Sequence, residues 1–110
     1  MTTIREHAPH ATLINVFTVE PEHASELAEL LRVATEETMR FVPGFISANI
    51  HVSSDGTRVV NYAQWQSPEA YQAMLQDPTA REHMGVCASV ATSFDPHLYT
   101  VESVHQAPRV

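Results

Sequence analysis

Apolar and polar residues change period several times along this chain, and each change marks an element. Residues 11–19 are β-rich and apolar on both sides, with Leu13, Phe17 and Val19 on one face and Ile14 and Val16 on the other. A strand of that kind sits in the middle of a sheet, covered on both sides. Asn15 interrupts the first of its faces. From 21 to 41 the period lengthens. Leu27, Leu30, Leu31, Ala34, Thr38 and Phe41 recur at helical spacing and predict one long amphipathic helix. Pro21 suits its first turn, and Glu20 and Glu22 favour the positive end of its dipole. Val42-Pro43-Gly44 then stops it, because proline cannot continue a helix and glycine permits the turn.

Residues 45–53 and 57–66 read as two strands joined at Asp55-Gly56. This dipeptide is a strong hairpin signal, because a two-residue turn takes positive φ at both positions. So tight a turn sets the register: Val52 opposite Val59, Ile50 opposite Asn61, Ala48 opposite Ala63, and Ile46 opposite Trp65. Those eight residues share one surface, and Ser47, Asn49, His51, Val60, Tyr62 and Gln64 share the other. Ser67-Pro68-Glu69 opens a second helix, with Ser67 as cap and Pro68 at the first helical position. Its buried edge is Ala70, Tyr71, Met74 and Leu75. Asp77-Pro78 repeats the signal and opens a third helix to about residue 91, with a stripe of Ala80, Met84, Cys87, Ala88 and Ala91 flanked by Arg81 and His83. Residues 97–105 alternate as a last strand.

The order is β-α-β-β-α-β with the second helix broken in two. That is the ferredoxin-like α+β arrangement, an antiparallel sheet with its helices on one face. The other face, bearing Tyr62, Val60 and Gln64, is too apolar to stay open and is assigned to a partner subunit, so a homodimer is expected. Residues 1–10 and 106–110 mix charge, His and Pro without period, and are expected to be a flexible arm and a flexible tail around a domain at 11–105.

A chain of 110 residues has room for one core. Thirteen acidic residues stand against six basic ones, none of them lysine, for a net charge of −7. That balance argues against nucleic acid and against anionic membrane surfaces as partners. No apolar run approaches membrane-spanning length and no secretory signal precedes the first strand. The single Cys87 has no internal disulfide partner, and in its Ala/Met stripe it reads as a small core residue. A cytoplasmic protein is expected.

Several chemistries find no foothold. There is no glycine-rich phosphate loop, no dinucleotide fingerprint and no Cys/His pair at zinc spacing, so neither a bound cofactor nor a metal is expected. His7 and His10 lie in the arm, and Glu26, Glu29, Glu36 and Glu37 lie mostly off the apolar face of the first helix, where solvation explains them. What remains is the inner face of the hairpin. Asn61 is an amide among Val59, Ile50 and Ala63, and Trp65 points to the same side. A structural reading has Asn61 bonded to a neighbouring loop and Trp65 packed in the core; a functional one aims both at a ligand. Tyr71 begins the next helix close by, and Arg81 and His83 flank the third helix where it overhangs the same place.

Val42-Pro43-Gly44-Phe45, then Asp55-Gly56, then Val60-Asn61-Tyr62-Ala63-Gln64-Trp65 and Tyr71 together resemble the antibiotic biosynthesis monooxygenase family over roughly residues 11–105. The likeness is greatest to its cofactor-independent enzymes, which oxidise anthrone-type polyketides to quinones. The resemblance implies a dimeric α+β barrel with one pocket per subunit, and an aromatic polyketide and dioxygen as reactants. By position it implies Asn61, Trp65 and Tyr71 as pocket residues. The family's pocket arginine has no clean match: Arg81 falls about a turn early, and His83 or Met84 lies nearer the expected place. Asn61, Trp65 and, as base, His83 are therefore the catalytic candidates. Asn15, Tyr71, Met74, Arg81 and Met84 are the substrate-binding candidates. The rival readings are a polyketide cyclase on the same barrel, a haem-degrading relative using Asn15 and His83, and a non-catalytic dimeric binding protein.

Overall fold

The computed structural model describes residues 1–109. Four strands, β1 (Ala11–Thr18), β2 (Phe45–Val52), β3 (Arg58–Trp65) and β4 (Ser93–Tyr99), form one sheet in the order β2-β3-β1-β4. All three pairings are antiparallel. The helices α1 (Ala24–Glu37), α2 (Pro68–Met74) and α3 (Pro78–Val90) cover its inner face. This is the expected ferredoxin-like fold.

Local chemistry accounts for the joints. The Ser67 hydroxyl accepts from the Ala70 N–H at 3.1 Å and the Asp77 carboxylate from the Ala80 N–H at 3.0 Å, so both short helices begin on a capped turn with proline just inside. Each cap stabilises its helix by about 1 kcal/mol.

The first helix is not continuous. Pro21–His23 and Met39–Phe41 are 3₁₀ turns on either side of α1, with the break at Thr38. Pro43 disfavours helical geometry at Val42, which is extended, and the chain tightens its last turn before reversing into β2. That turn rotates Phe41 off the expected apolar face. It is 69% exposed, with the Arg40 guanidinium 4.9 Å from its ring centroid. The last strand is also displaced: β4 is Ser93–Tyr99, earlier than the expected 97–105, because it pairs along β1 from Ser93 opposite Thr18 to Tyr99 opposite Thr12. Pro96 is tolerated in it because β4 is an edge strand.

The hairpin keeps Val52, Ile50 and Ala48 opposite Val59, Asn61 and Ala63. Beyond Ala48 a bulge between Phe45 and Ser47 puts Phe45, not Ile46, opposite Trp65. Ile46 turns outward and is 43% exposed. The turn itself differs from the two-residue form. The Ser53 carbonyl accepts from the Gly56 N–H at 3.0 Å, and Gly56 alone in it has positive φ, 74°. Asp55 holds this turn: its Oδ1 accepts from the Ser53 hydroxyl at 2.8 Å, the Thr57 hydroxyl at 2.7 Å and the Thr57 N–H at 3.0 Å.

These bonds, led by the Thr57 hydroxyl, hold the Asp55 carboxyl down at about 2. A carboxyl depressed on folding contributes stability above the ordinary Asp pKa near 4, and that contribution is lost as pH falls through about 2. Asp55→Asn is therefore expected to lower stability at pH 7, with the difference from wild type closing between about pH 4 and pH 2. Urea titrations across that range check it; a pH-independent difference would show that charge plays no part.

The N-terminal segment lies against the outer face of the sheet. The Asn49 amide donates to the Thr2 hydroxyl at 2.7 Å, and the Gln64 amide donates to the Thr3 carbonyl at 2.7 Å. The His7 N–H donates to the Val101 carbonyl at 2.8 Å and the Val104 N–H to the Glu6 carboxylate at 2.9 Å, which ties the two ends together. No described helix is long and apolar enough to cross a membrane.

Candidate active site

Inward-facing residues run across the sheet in rows. One row is Val52, Val59, Phe17 and Phe94, and another is Ala48, Ala63, Leu13 and Leu98. Between them lies Ile50, Asn61, Asn15 and Pro96, in which Asn15 and Asn61 are direct cross-strand partners. The flanking rows feed two separate cores. Phe17 and Val59 pack with Leu27, Leu31 and Cys87, and Leu13, Ala63 and Trp65 pack with Tyr71, Met74 and Ala80. The amide row falls between the two clusters.

A cavity of about 250 Å³ occupies that gap, walled by all four strands below and by α1, α2 and α3 above. Asn15, Asn61, Trp65, Tyr71, Met74 and Met84 all line it. Most of the remaining wall is aliphatic or aromatic. Its side-chain polar atoms are few, and of these the Thr35 hydroxyl donates to the Leu31 carbonyl at 2.8 Å. Oδ1 of Asn15, Oδ1 of Asn61 and Nε1 of Trp65 are buried and have no hydrogen-bond partner among the described residues. A buried polar group left unpaired costs about 1–3 kcal/mol, so three of them on residues that line one cavity mark it as a candidate site. The neighbouring-loop partner that a structural Asn61 needs is not there.

Trp65 is positioned by aromatic contacts. It is 2% exposed, with the Phe45 ring edge-on at 5.5 Å and the Tyr71 ring tilted at 6.2 Å between centroids. The bulge in β2 brings Phe45 to this place, and the Ser67 cap aims Tyr71. Gly44 sets the spacing between these parts. Its φ is +89°, its carbonyl accepts from the Gln66 N–H at 2.7 Å, and Ala70 of α2 packs where a side chain would stand.

Two candidates are not in the site. Arg81 is exposed, and neither Arg81 nor His83 lines the cavity. Helical spacing leaves His83 off the side of α3 that gives the cavity Met84, Gly85 and Ala88, whereas Arg81 shares that side but stands a turn earlier, where it is exposed. His83 is therefore not placed as a base, and the Asn15–His83 pair that a haem-degrading relative needs is not assembled. Among the described residues, the ionisable groups on the wall are the Tyr71 hydroxyl and the Cys87 thiol, and burial raises the pKa of both. Neither ionises readily near neutral pH. Cys87, 3% exposed, is the small core residue its stripe implies. Thr35, Met39, Phe94 and Pro96 also line the cavity, and sequence reasoning missed them. Met39 lies in the 3₁₀ turn that pattern reading merged into the helix. Phe94 and Pro96 lie in the part of β4 that it left out.

The chain matches the antibiotic biosynthesis monooxygenase family over residues 11–85. It is 46% identical over 91 residues to the tetracenomycin-F1 monooxygenase of Streptomyces glaucescens, covering 83% of this chain and 81% of that one. The fold superposes on the ActVA-Orf6 monooxygenase of Streptomyces coelicolor, solved with nanaomycin D, at a TM-score of 0.80. That pair is 33% identical, over 89% of this chain and 92% of that chain. SnoaB, a cofactor-independent oxygenase from Streptomyces nogalater, shares the fold at a TM-score of 0.72 and 22% identity, over 88% of this chain and 97% of its own. Fold, sequence and cavity agree: the chain belongs to the antibiotic biosynthesis monooxygenase family. It is an enzyme, a monooxygenase.

Proposed function

We propose that this enzyme oxidises an aromatic polyketide of the phenol or anthrone type to a quinone with dioxygen, without a bound cofactor. The observation that carries the reading is that Asn15, Asn61 and Trp65, whose amide carbonyls and indole N–H are buried without partners, all line one mostly apolar cavity. Flat apolar walls suit fused rings, and a few fixed polar atoms orient them. The amide carbonyls accept from ring hydroxyls, and the indole N–H donates to a ring oxygen as it gains negative charge. The names of the relatives point to the same substrate class.

The chemistry needs little from the protein. A deprotonated anthrone donates one electron to dioxygen, the two radicals join at carbon, and the hydroperoxide loses water to leave the quinone. One anthrone and one dioxygen give one quinone and one water. The wall offers no group suited to act as a base near neutral pH. The substrate's acidic carbon or hydroxyl therefore gives its proton to solvent water, helped by the donor that stabilises the anion, and water returns a proton to the peroxide anion to make the hydroperoxide. Aerobic incubation of chelator-dialysed enzyme with anthrone tests this. The expected result is quinone formation with stoichiometric oxygen uptake. Substrate turnover without oxygen uptake would instead favour a cyclase, and activity restored only by added metal or flavin would overturn the cofactor-free reading.

The homodimer belongs to the same proposal. The outer sheet face carries Ile14, Val16, Val60 and Tyr62, and the Tyr62 hydroxyl is buried there without a partner. A second copy on this face would cover the apolar side chains. Sedimentation at micromolar concentration is expected to give twice the chain mass; monomer alone would sink the assignment.

A further inference from the structure

Glycine in the interior of a helix is destabilising relative to alanine, so its presence asks for a reason. Gly85 is the eighth of the thirteen residues of α3. Two ordinary reasons fail. Its backbone does not have positive φ, which among the glycines only Gly44 and Gly56 adopt. No neighbouring atom crowds it either, because a Cβ built there meets nothing within 4 Å. Yet Gly85 lines the cavity and is itself exposed, and a side chain there would stand in open space.

Phe94 completes the picture. Of the residues lining the cavity, Gly85 and Phe94 are the two that are exposed. Phe94 is 54% exposed and its ring tilts against that of Phe17, with 6.2 Å between centroids. An aromatic side chain left half in water at the mouth of an apolar cavity offers a face to whatever passes or protrudes there.

We propose that Gly85 and Phe94 form a specificity-determining mouth: the outer ring of a substrate longer than the cavity projects past Gly85 and packs on Phe94, so that polycyclic aromatics of three or more fused rings are accommodated. The proposal rests on the aromatic-substrate reading above. It extends that reading from the amides and the indole, which select oxygenated rings, to the exposed part of the wall, where length is selected. A glycine here keeps the exit clear for the ligand at a cost to the helix.

Trp65 is the only tryptophan in the chain and lies in the cavity wall, so its fluorescence reports occupancy without any need for turnover. The probes are 1-naphthol, with two rings, and 6-hydroxy-5,12-naphthacenequinone, with four. Gly85→Leu is expected to weaken binding of the four-ring compound at least about tenfold, since a pocket that loses space rejects what overfills it. The same variant should change 1-naphthol binding less than about twofold, because a short ligand does not reach the mouth. Phe94→Ala should weaken the four-ring compound about three- to tenfold, the usual worth of one aromatic contact. Gly85→Ala, the milder variant, should melt above wild type and shift the preference in the same direction as Gly85→Leu. Equal loss of both ligands in Gly85→Leu, or loss of neither, overturns the mouth while leaving the proposed function standing. Failure of both ligands to quench wild-type Trp65 overturns the aromatic-substrate reading, and the mouth with it.

Discussion

Asn61→Ala is expected to lower turnover about ten- to a hundred-fold while the melting temperature stays at or above that of wild type. The rate estimate takes one hydrogen bond to a charged intermediate as roughly 1.5–3 kcal/mol. The stability estimate follows from the unpartnered state of Oδ1. Removing a buried acceptor that bonds to nothing in the free enzyme relieves a desolvation penalty and breaks no bond through that atom. Trp65→Phe keeps a ring between Phe45 and Tyr71 but loses the indole donor, so its turnover should also fall. Asn15→Ala should resemble Asn61→Ala, and the double variant should lose less than the product of the two, because cross-strand partners serving one ligand couple. Melting temperature and turnover per folded molecule are measured on the same preparations. A fall in melting temperature with unchanged turnover would make Asn61 structural and remove it from the site.

Gly44→Ala is expected to have the largest effect on stability. Gly44 has φ of +89°, and a Cβ there would stand 2.4 Å from Cβ of Ala70. The backbone term and the overlap together cost about 2–4 kcal/mol. For a domain of this size that is roughly 10 °C or more in Tm. The overlap has a direction as well. Ala70 precedes Tyr71 on α2, so relief by moving the helix displaces Tyr71 from Trp65 and deforms the cavity wall. Activity should therefore fall by more than the folded fraction alone explains. Ala70→Gly in the same chain should restore part of it by vacating the overlap, leaving the backbone strain in place. Full rescue of both stability and activity would show that strain at Gly44 contributes little.

Much of this molecule was legible from periodicity and punctuation. The two-residue alternation of β1 and β3 placed Leu13, Asn15 and Phe17 on one face and Asn61 with Trp65 on another, and both faces proved to be inner ones. Ser67-Pro68 and Asp77-Pro78 marked the starts of α2 and α3, because a side-chain acceptor before proline satisfies the free N–H groups of a first helical turn. The register near Asn61 also followed from the short hairpin. These are local rules, and they held where only neighbours along the chain mattered.

They failed where a distant element intervened. A bulge exchanged Ile46 for Phe45 beside Trp65, and a 3₁₀ turn carried Phe41 into solvent. Pairing with β1 drew β4 forward to Ser93, which supplied Phe94 and Pro96 to the cavity. Arg81 and His83 sat at plausible sequence distances from the site, but His83 lies off the cavity side of α3 and Arg81 stands a turn before the part of it that lines the cavity. By itself, then, the sequence determined the element types, the inward side of each strand and the polar residues, Asn15, Asn61 and Trp65, that line the cavity. The tertiary structure alone decided that Asn15 and Asn61 are neighbours. Forty-five residues separate them along the chain, and only the order β2-β3-β1-β4, which places β3 against β1, brings the two amides together between separate apolar cores. Strand period states which way a side chain points; which strand lies beside it depends on how the helices pack across the whole sheet.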